Sequence, residues 1–329
     1  MKHGGDLTEA MARYGGTPET WLDLSTGINP RPWPVPDISE QAWQRLPSRA
    51  DEQMVRDAAR KAYAIPAGVD IVAASGTQAI IQWLPYLAAR GPVAIFGPTY
   101  NEHALAWRNA GHEVIAASSV DDLSADAIHA VMVNPNNPDG RVVDRQAIVD
   151  LATKIEKRGG WLVIDEAFAD VDPAISVSAL CADLPIIILR SFGKFYGLAG
   201  LRVGFAVAAP GIIQRIAQAL GPWACSGPAL QIGAAALNDQ AWAKQTRDVL
   251  ARQAGKLDDV LAQAGLQIVG GTSLFRLARH PRAEYIHAAL ARGHIWCRSF
   301  DWADDLLRFG LPPDDAALAR LAAALADIV

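Results

Sequence analysis

Residues 191–204 read SFGKFYGLAGLRVG, and they follow an apolar run that extends from Ile186 to Leu189. This run is rich in β-branched residues and is typical of a buried parallel strand. We therefore expect Ser191 and Lys194 in the loop beyond the carboxyl end of the strand, where open α/β sheets bind their ligands. A lysine among glycines can be approached by a carbonyl compound, and Arg202 supplies a planar fork suited to phosphate. The alternative is a solvated lysine in a flexible surface loop.

An alternation of apolar runs and helical patterns extends over most of the first two thirds of the chain. It predicts an α/β fold with a doubly wound, mostly parallel sheet. The apolar runs cover residues 71–74, 93–96, 113–116, 130–133, 161–164, 186–189 and 203–207. Polar loops follow five of these runs and begin at Ser75, Gly97, Asn134, Asp165 and Ser191. Because the carboxyl ends of parallel strands share one edge of a sheet, we expect these loops to meet there.

The chain is predicted to form a large domain over residues 31–215 and a smaller α+β domain over residues 216–329. An N-terminal arm, residues 1–30, is expected to pack with the small domain. The first boundary falls at RPWPVP, residues 31–36, because its prolines exclude a helix or a central strand. Beyond about residue 210 the alternation gives way to long alanine-rich helical patterns. The elements predicted there are helices at residues 212–220, 229–264, 284–292 and 314–329 and strands at residues 270–277, 295–300 and 306–310.

The composition excludes several classes of function. A chain of 329 residues with 51% hydrophobic residues can bury a large core. A net charge of −5 without a basic stripe argues against a nucleic-acid partner. The apolar runs are too short to span a membrane and the N-terminus lacks the core of a signal sequence, so we expect a cytoplasmic protein without a membrane partner. The three cysteines have no metal-ligand spacing, which indicates free thiols and no metal site.

Two segments are candidate binding sites because of their position relative to the predicted strands. Gly76-Thr77-Gln78 stand where a strand gives way to a helix, so their backbone N–H groups are placed to bind phosphate. Asp165 ends the apolar run 161–164, where a carboxylate is costly unless it meets a positive partner. The alternative is a solvated carboxylate past the end of the strand, an interpretation that suits the neighbouring Glu166 better than Asp165.

The segment 191–204 resembles the lysine signature of the fold-type I pyridoxal-phosphate enzymes, the aspartate aminotransferase superfamily. The resemblance implies the fold-type I transferase fold, pyridoxal 5'-phosphate as the cofactor and a homodimer as the assembly. It implies that Lys194 forms the Schiff base with the cofactor and that Ser191 and Arg202 hold its phosphate, together with the segment from Gly76 to Gln78.

The same resemblance covers three residues of the other loops, in the order that the superfamily has along the chain. It implies that Tyr100 stacks on the cofactor ring and that Asn137 hydrogen-bonds the ring hydroxyl. It implies that Asp165 pairs with the ring N–H and keeps that nitrogen protonated, which carbanion chemistry requires. The candidate catalytic residues are therefore Lys194, Asp165 and Tyr100.

The start of the chain bears on the reaction. His3-Gly4-Gly5-Asp6-Leu7 and the segment LSTGINP, residues 24–30, resemble the N-terminal signature of the L-threonine-O-3-phosphate decarboxylases of cobalamin biosynthesis. This resemblance implies a small phosphorylated amino acid as the substrate and decarboxylation to (R)-1-aminopropan-2-yl phosphate. The alternative is transamination of the histidinol-phosphate aminotransferase type.

Two arginines, Arg298 and Arg308, fall on strand patterns of the small domain, where a guanidinium is costly without an anion. The resemblance implies that Arg308 binds the α-carboxylate of the substrate. The candidates for the substrate phosphate are His3, Gly4, Asn29 and Arg298. The alternative for both arginines is a local ion pair, for which the sequence offers Asp301, Asp304 and Asp305.

Two positions depart from the pattern of aminotransferase relatives. Phe168 stands where many of them have a tyrosine that bonds the cofactor hydroxyl, so Asn137 is left to make that contact. Leu46 stands where relatives commonly have a tyrosine that reaches the phosphate site of the neighbouring subunit. An active site shared between subunits is therefore not predicted through this position.

Overall fold

The computed structural model describes residues 4–328, and the chain divides into two compact units. The larger unit comprises residues 33–137 and 141–243. The smaller unit comprises the chain up to Pro32, the segment Pro138–Gly140 and the chain from Lys244 onward. The chain therefore passes between the two units four times.

The described residues form twelve α-helices and twelve strands. The helices are α1 (Thr8–Tyr14), α2 (Glu40–Gln44), α3 (Arg49–Ala62), α4 (Thr77–Leu87), α5 (Asn101–Asn109), α6 (Arg145–Glu156), α7 (Phe192–Phe195), α8 (Pro210–Leu220), α9 (Gly227–Asn238), α10 (Gln240–Gln263), α11 (Ala283–Arg292) and α12 (Asp315–Ala326). The strands are β1 (Leu22–Leu24), β2 (Asp70–Ala74), β3 (Val93–Phe96), β4 (Val114–Ala117), β5 (His129–Val133), β6 (Leu162–Asp165), β7 (Ile186–Ser191), β8 (Gly204–Ala208), β9 (Gln267–Thr272), β10 (Phe275–Arg279), β11 (Ile295–Phe300) and β12 (Ala303–Gly310). No helix within residues 4–328 combines the length and the apolar character that crossing a membrane requires.

The larger unit is built on a seven-stranded sheet with the order β2-β8-β7-β6-β5-β3-β4. The strands from β7 to β4 pair in parallel, whereas β8 runs antiparallel to both β7 and β2. The residues of β3, β5 and β6 are buried throughout, as expected for parallel strands covered on both faces. The prediction of a doubly wound, mostly parallel sheet is confirmed.

The smaller unit is built on a five-stranded sheet with the order β1-β11-β12-β10-β9. β1 pairs with β11 in parallel, and the other neighbours are antiparallel. The segment 270–277, predicted as a single strand, is a hairpin of β9 and β10. The reason is a tight turn, in which the Leu274 N–H donates to Thr272 Oγ1 at 3.1 Å and ends the first strand.

Two further differences from the sequence prediction concern the region after residue 215. The helix predicted over residues 229–264 is divided into α9 and α10, because Asp239 accepts a hydrogen bond from the Trp242 N–H at 3.0 Å and caps the second helix. The larger unit extends to Ala243, because α9 packs along α3 in that unit.

Candidate active site

Gly204, the first residue of β8, brings two loops of the larger unit together. It pairs with Ser191 at the end of β7 and with Ala74 at the end of β2. Because β8 is antiparallel to both neighbours, its first residue meets their last residues. The loop that begins at Ser75 and the loop that carries Lys194 therefore start on either side of one strand.

The start of α4 and the guanidinium of Arg202 form an anion cradle. Gly76 precedes α4 with a φ of 80°, and a Cβ at this position would lie 2.6 Å from Arg202 Nη2. A Cβ on Gly204 would collide with the backbone nitrogen of Thr77. Because glycine occupies both positions, the helix N-terminus and the guanidinium meet without obstruction, which is the donor set that a phosphate group needs. The structure thus brings together the residues predicted to hold the cofactor phosphate, with Ser191 beside them.

Tyr100 lies immediately before α5 and is tied to α4 through Gln78. Its hydroxyl donates to Gln78 Oε1 at 3.3 Å, and Gln78 Nε2 donates to Glu102 at 2.9 Å. Burial raises the pKa of Tyr100 to about 12, and the carboxylates of Glu102 and Asp165 act in the same direction. The hydroxyl therefore stays protonated at neutral pH. The side chain of Gln78, predicted as a cofactor ligand, is engaged here in positioning Tyr100.

Asp165 ends β6 as a buried carboxylate with only 3% of its surface exposed. Its Oδ2 lies 3.0 Å from Nε2 of the buried His103, and its Oδ1 accepts the backbone N–H of Ala167 at 3.0 Å. Each oxygen keeps a lone pair, so the group can accept a further N–H such as that of a pyridinium ring. The sequence prediction missed His103, although its place three residues after Tyr100 in a helical pattern puts both on one helix face.

The loop that carries Asn137 is tied to the loop that leads into Tyr100. The side chain of Asn136 accepts from Thr99 Oγ1 at 2.7 Å and donates to the Pro98 carbonyl at 3.0 Å. Asn137 is half-buried beside this connection. Its predicted position among the cofactor residues is compatible with these contacts.

Lys194 is half-buried on α7, a helix of a single turn. The turn has two fully buried side chains, Phe192 and Phe195, so its orientation is fixed by packing. Gly193 is required next to the lysine, because a Cβ there would lie 2.6 Å from the Cα of Ala199. The ε-amine thus stands on a rigid support in the loop between Ser191 and Arg202.

Glu166 differs from the sequence interpretation. The expectation of a solvated carboxylate is wrong, because the residue is completely buried and its Oε2 lies 2.8 Å from Nη1 of Arg190. Nη2 of the same arginine lies 2.9 Å from Asp170, and its guanidinium stands 4.2 Å from the centroid of the Tyr63 ring. The sequence prediction ended the strand at Leu189 and overlooked this arginine.

Arg308 and Arg298 form a cross-strand arginine pair in the smaller unit. They are direct partners in the register of β12 and β11. Burial lowers the pKa of Arg308 to about 10, the charge of Arg298 adds to this effect, and Asp23 opposes it. Burial also lowers the pKa of Arg298, against the influence of Asp301. Like charges directly opposite each other are unfavourable, so an anion placed between or over these groups would be strongly bound.

The N-terminal arm reaches the cross-strand arginine pair through Ser25. Nη2 of Arg308 donates to the Ser25 carbonyl at 2.7 Å, and the Ser25 hydroxyl accepts the Gly5 N–H at 2.8 Å. Gly4 lies so close to this carbonyl that a Cβ would collide with it. Asn29 is buried and accepts the Arg31 N–H at 2.9 Å. Gly4 is thereby placed near Arg308, whereas the predicted ligand His3 lies outside the described residues.

The three local carboxylates that the sequence offers as ion-pair partners for the two arginines differ in their surroundings. Asp305 forms an ion pair with another arginine, Arg279, at 2.9 Å. Asp301 only opposes the lowering of the pKa of Arg298 by burial, and Asp304 is exposed. The carboxylate that influences Arg308 is Asp23, which the sequence analysis did not single out.

A family model described as aminotransferase class I and II matches residues 40–325. The chain belongs to this family. Among its relatives, a threonine-phosphate decarboxylase from a Sinorhizobium species is 48% identical, with 98% of this chain and 97% of the relative covered. The threonine-phosphate decarboxylase of Pseudomonas aeruginosa is 42% identical, with 99% and 97% covered. The crystal structure of a histidinol-phosphate aminotransferase from Clostridium acetobutylicum superposes with a TM-score of 0.83 at 20% identity, with 93% of this chain and 98% of that chain covered, and shares the fold.

Proposed function

We propose that the protein is a pyridoxal-phosphate-dependent decarboxylase that converts L-threonine O-3-phosphate into (R)-1-aminopropan-2-yl phosphate and carbon dioxide. The observation that carries the proposal is the cross-strand arginine pair, because two adjacent cations suit a substrate with a carboxylate and a phosphate. Two relatives above 40% identity over nearly the whole chain support the same substrate.

The anion cradle and its neighbours fit the cofactor by their chemistry. The start of α4 and Arg202 would bind its phosphate, with Ser191 beside them, and Lys194 would hold it covalently. Asp165, fixed by His103, would accept the hydrogen bond of the ring N–H. When bound, pyridoxal phosphate supplies an electron sink for the pair of electrons left as carbon dioxide departs.

The residues of the chain then have separate tasks in the reaction. Arg308 binds the α-carboxylate, and Arg298 binds the phosphate of the substrate. Asp165 would keep the ring nitrogen of the bound cofactor protonated, because a buried carboxylate at 3% exposure stabilises a cation strongly. The bond between Cα and the carboxylate breaks, and the ε-amine of Lys194 delivers a proton to Cα in its place.

To test the proposal, the protein loaded with pyridoxal phosphate is incubated with L-threonine O-3-phosphate in the absence of any keto acid. Both products are followed by NMR. Catalytic release of carbon dioxide and aminopropanol phosphate is expected, with Lys194→Ala as the inactive control. Unphosphorylated L-threonine should react poorly, because it leaves Arg298 without its ligand. Amino transfer from histidinol phosphate to 2-oxoglutarate, without release of carbon dioxide, would overturn the proposal in favour of an aminotransferase.

We further propose that the enzyme works as a homodimer in the cytoplasm. The three cysteines are buried as free thiols, a state that a reducing compartment preserves. Trp43 and Leu46, 71% and 67% exposed, offer apolar surface that a second subunit would cover. Light scattering of the purified protein tests the assembly, and a monomer at micromolar concentration would contradict it.

A further inference from the structure

We propose that Trp242 is a positioning residue for Lys194 and acts on it through the ring of Tyr196. The inference rests on the proposed role of Lys194 as the residue that binds the cofactor. Lys194 stands on a single helical turn, and one turn of helix is not stable by itself. Its position must therefore come from contacts that the turn makes with the rest of the larger unit.

Three aromatic side chains flank Lys194 on the same turn, and they close into one cluster with Trp242. Tyr196 is stacked between two rings, with Phe192 at 4.5 Å and Trp242 at 5.6 Å between ring centroids. Phe195 meets the edges of both Tyr196, at 5.2 Å, and Trp242, at 5.6 Å. Of the four rings in this aromatic clamp, Trp242 alone comes from a distant part of the sequence, the first turn of α10.

A chain of hydrogen bonds completes the aromatic clamp from the other side. The Trp33 N–H donates to the Tyr196 carbonyl at 2.9 Å, and its indole N–H donates to Asp239 at 3.1 Å. Asp239 also accepts the backbone N–H of Trp242 at 3.0 Å. Tyr196 is therefore held through its carbonyl by Trp33 and through its ring by Trp242, and one carboxylate joins the two tryptophans.

The arrangement predicts that the aromatic clamp sets where the amine of Lys194 stands, because Phe192 lies two residues before the lysine and Phe195 and Tyr196 directly follow it. Trp242 is only half-buried, so its replacement leaves the main core intact. Loss of the indole ring frees one face of Tyr196 and one edge of Phe195, and the turn gains freedom. A reactive group that loses its fixed orientation reacts more slowly even when its chemistry is unchanged.

The experiment measures how fast pyridoxal phosphate attaches to Lys194 of the cofactor-free protein, from the visible absorbance of the bound form and borohydride trapping. Trp242→Leu is expected to slow attachment by about tenfold and to shift the pH midpoint of that absorbance. Trp242→Phe, which keeps a ring against Tyr196, should stay within about threefold of the unchanged protein. Ile216→Ala is the matched control, because it removes a fully buried side chain of α8 without touching the aromatic clamp.

Each outcome decides a separate point. Equal attachment rates and pH midpoints for Trp242→Leu and the unchanged protein would overturn the positioning role. An equal loss in Ile216→Ala at similar thermal stability would overturn it as well, because general destabilisation would then suffice. The unchanged protein could also fail to attach the cofactor and show the same visible absorbance as Lys194→Ala. That result would instead overturn the proposed function on which the inference rests.

Discussion

Arg190 in the larger unit and Arg308 in the smaller unit are both buried, with 2% and 7% of their surfaces exposed. Burial by itself lowers the pKa of each. In Arg190 the carboxylates of Asp170 and Glu166 reverse this effect and raise the pKa above its ordinary value. In Arg308 the neighbouring charge of Arg298 adds to it, and the pKa falls to about 10. The first charge is balanced by two carboxylates, whereas the second lies opposite another cation.

The surroundings of Arg190 are those of a structural arginine and differ from those of Arg308, for which we propose substrate binding. A buried cation with two carboxylates stabilises the loops from which its partners come, and both partners of Arg190 belong to the loop after Asp165. A buried cation facing another cation is costly for the folded protein, and such costs are typical of binding sites.

Replacing Arg190 should destabilise the protein severely. Arg190→Met leaves Glu166 and Asp170 buried without their cation, and the free energy of unfolding should fall by about 3–5 kcal/mol. Urea unfolding of the soluble variant measures the loss. Arg308→Met is the matched comparison and should lose less, about 1–2 kcal/mol, because the Ser25 carbonyl loses its donor but the removed charge faces Arg298. Similar losses in the two variants would refute the distinction between the two arginines.

Replacing Arg308 should chiefly affect catalysis. Arg308→Met is expected to lower kcat/KM for L-threonine O-3-phosphate by about a hundredfold or more, because a charged contact to the substrate is lost. Steady-state kinetics of carbon dioxide release provide the measurement. Arg308→Lys keeps the charge without the planar fork and should recover only part of the loss. A change of less than threefold in both variants would show that the carboxylate binds elsewhere.

Replacing Arg298 should weaken substrate binding more than turnover. Arg298→Met is expected to raise KM by about tenfold, since a hydrogen bond to a charged group contributes about 1.5–3 kcal/mol. kcat should change by less than about threefold, because the reacting bond lies at the carboxylate end of the substrate. Inhibition by inorganic phosphate should weaken in parallel. An unchanged inhibition constant would exclude Arg298 as the phosphate ligand.

The charge of Arg308 should also control the pH dependence of anion binding. Burial lowers the pKa of Arg308 in the folded protein to about 10, so the guanidinium loses its proton as the pH rises through about 10. The charge of Arg308 disfavours the folded state below that pH, and this free-energy penalty is relieved as the pH rises above about 10. A bound anion offsets the same penalty only while the arginine is charged.

The increase in melting temperature caused by phosphate should therefore be full near pH 8 and shrink as the pH passes about 10. In Arg298→Met the decline should move to higher pH, because the repulsion that lowers the pKa of Arg308 is removed. Differential scanning fluorimetry with and without phosphate checks both points. A phosphate effect that is constant from about pH 8 to pH 11 in the unchanged protein would contradict the assignment.

The sequence predicted the strands that end at the candidate site, because buried parallel strands have long apolar runs. Asp165 directly follows such a run and Lys194 stands in the loop after another, so their common edge could be inferred. Asp165 and Glu166 are consecutive carboxylates, and the sequence favoured burial for the first alone. The structure buries both, because Arg190 on the neighbouring strand provides a partner for the second.

Other features depend on contacts between distant residues and leave little local trace. His103 has the appearance of an ordinary helical residue until β6 places Asp165 against it. β1 is only three residues long, and its partner on β11 lies near the other end of the chain. Pairing of this kind is decided by tertiary structure, and a propensity for strand in three residues does not reveal it. The aromatic clamp on Lys194 was missed for the same reason, since Trp242 belongs to another helix.

The parallel pairing of β1 with β11 has a consequence for how the protein is made. Residues 22–24 leave the ribosome before their partners at residues 295–297, with about 270 residues synthesised in between. At typical rates of about 5–20 residues per second, the first strand waits for tens of seconds without its neighbour. The carbonyl of Ser25 meets the guanidinium of Arg308 only after that delay. Arg308 therefore makes this contact late, when the larger unit has already had time to fold.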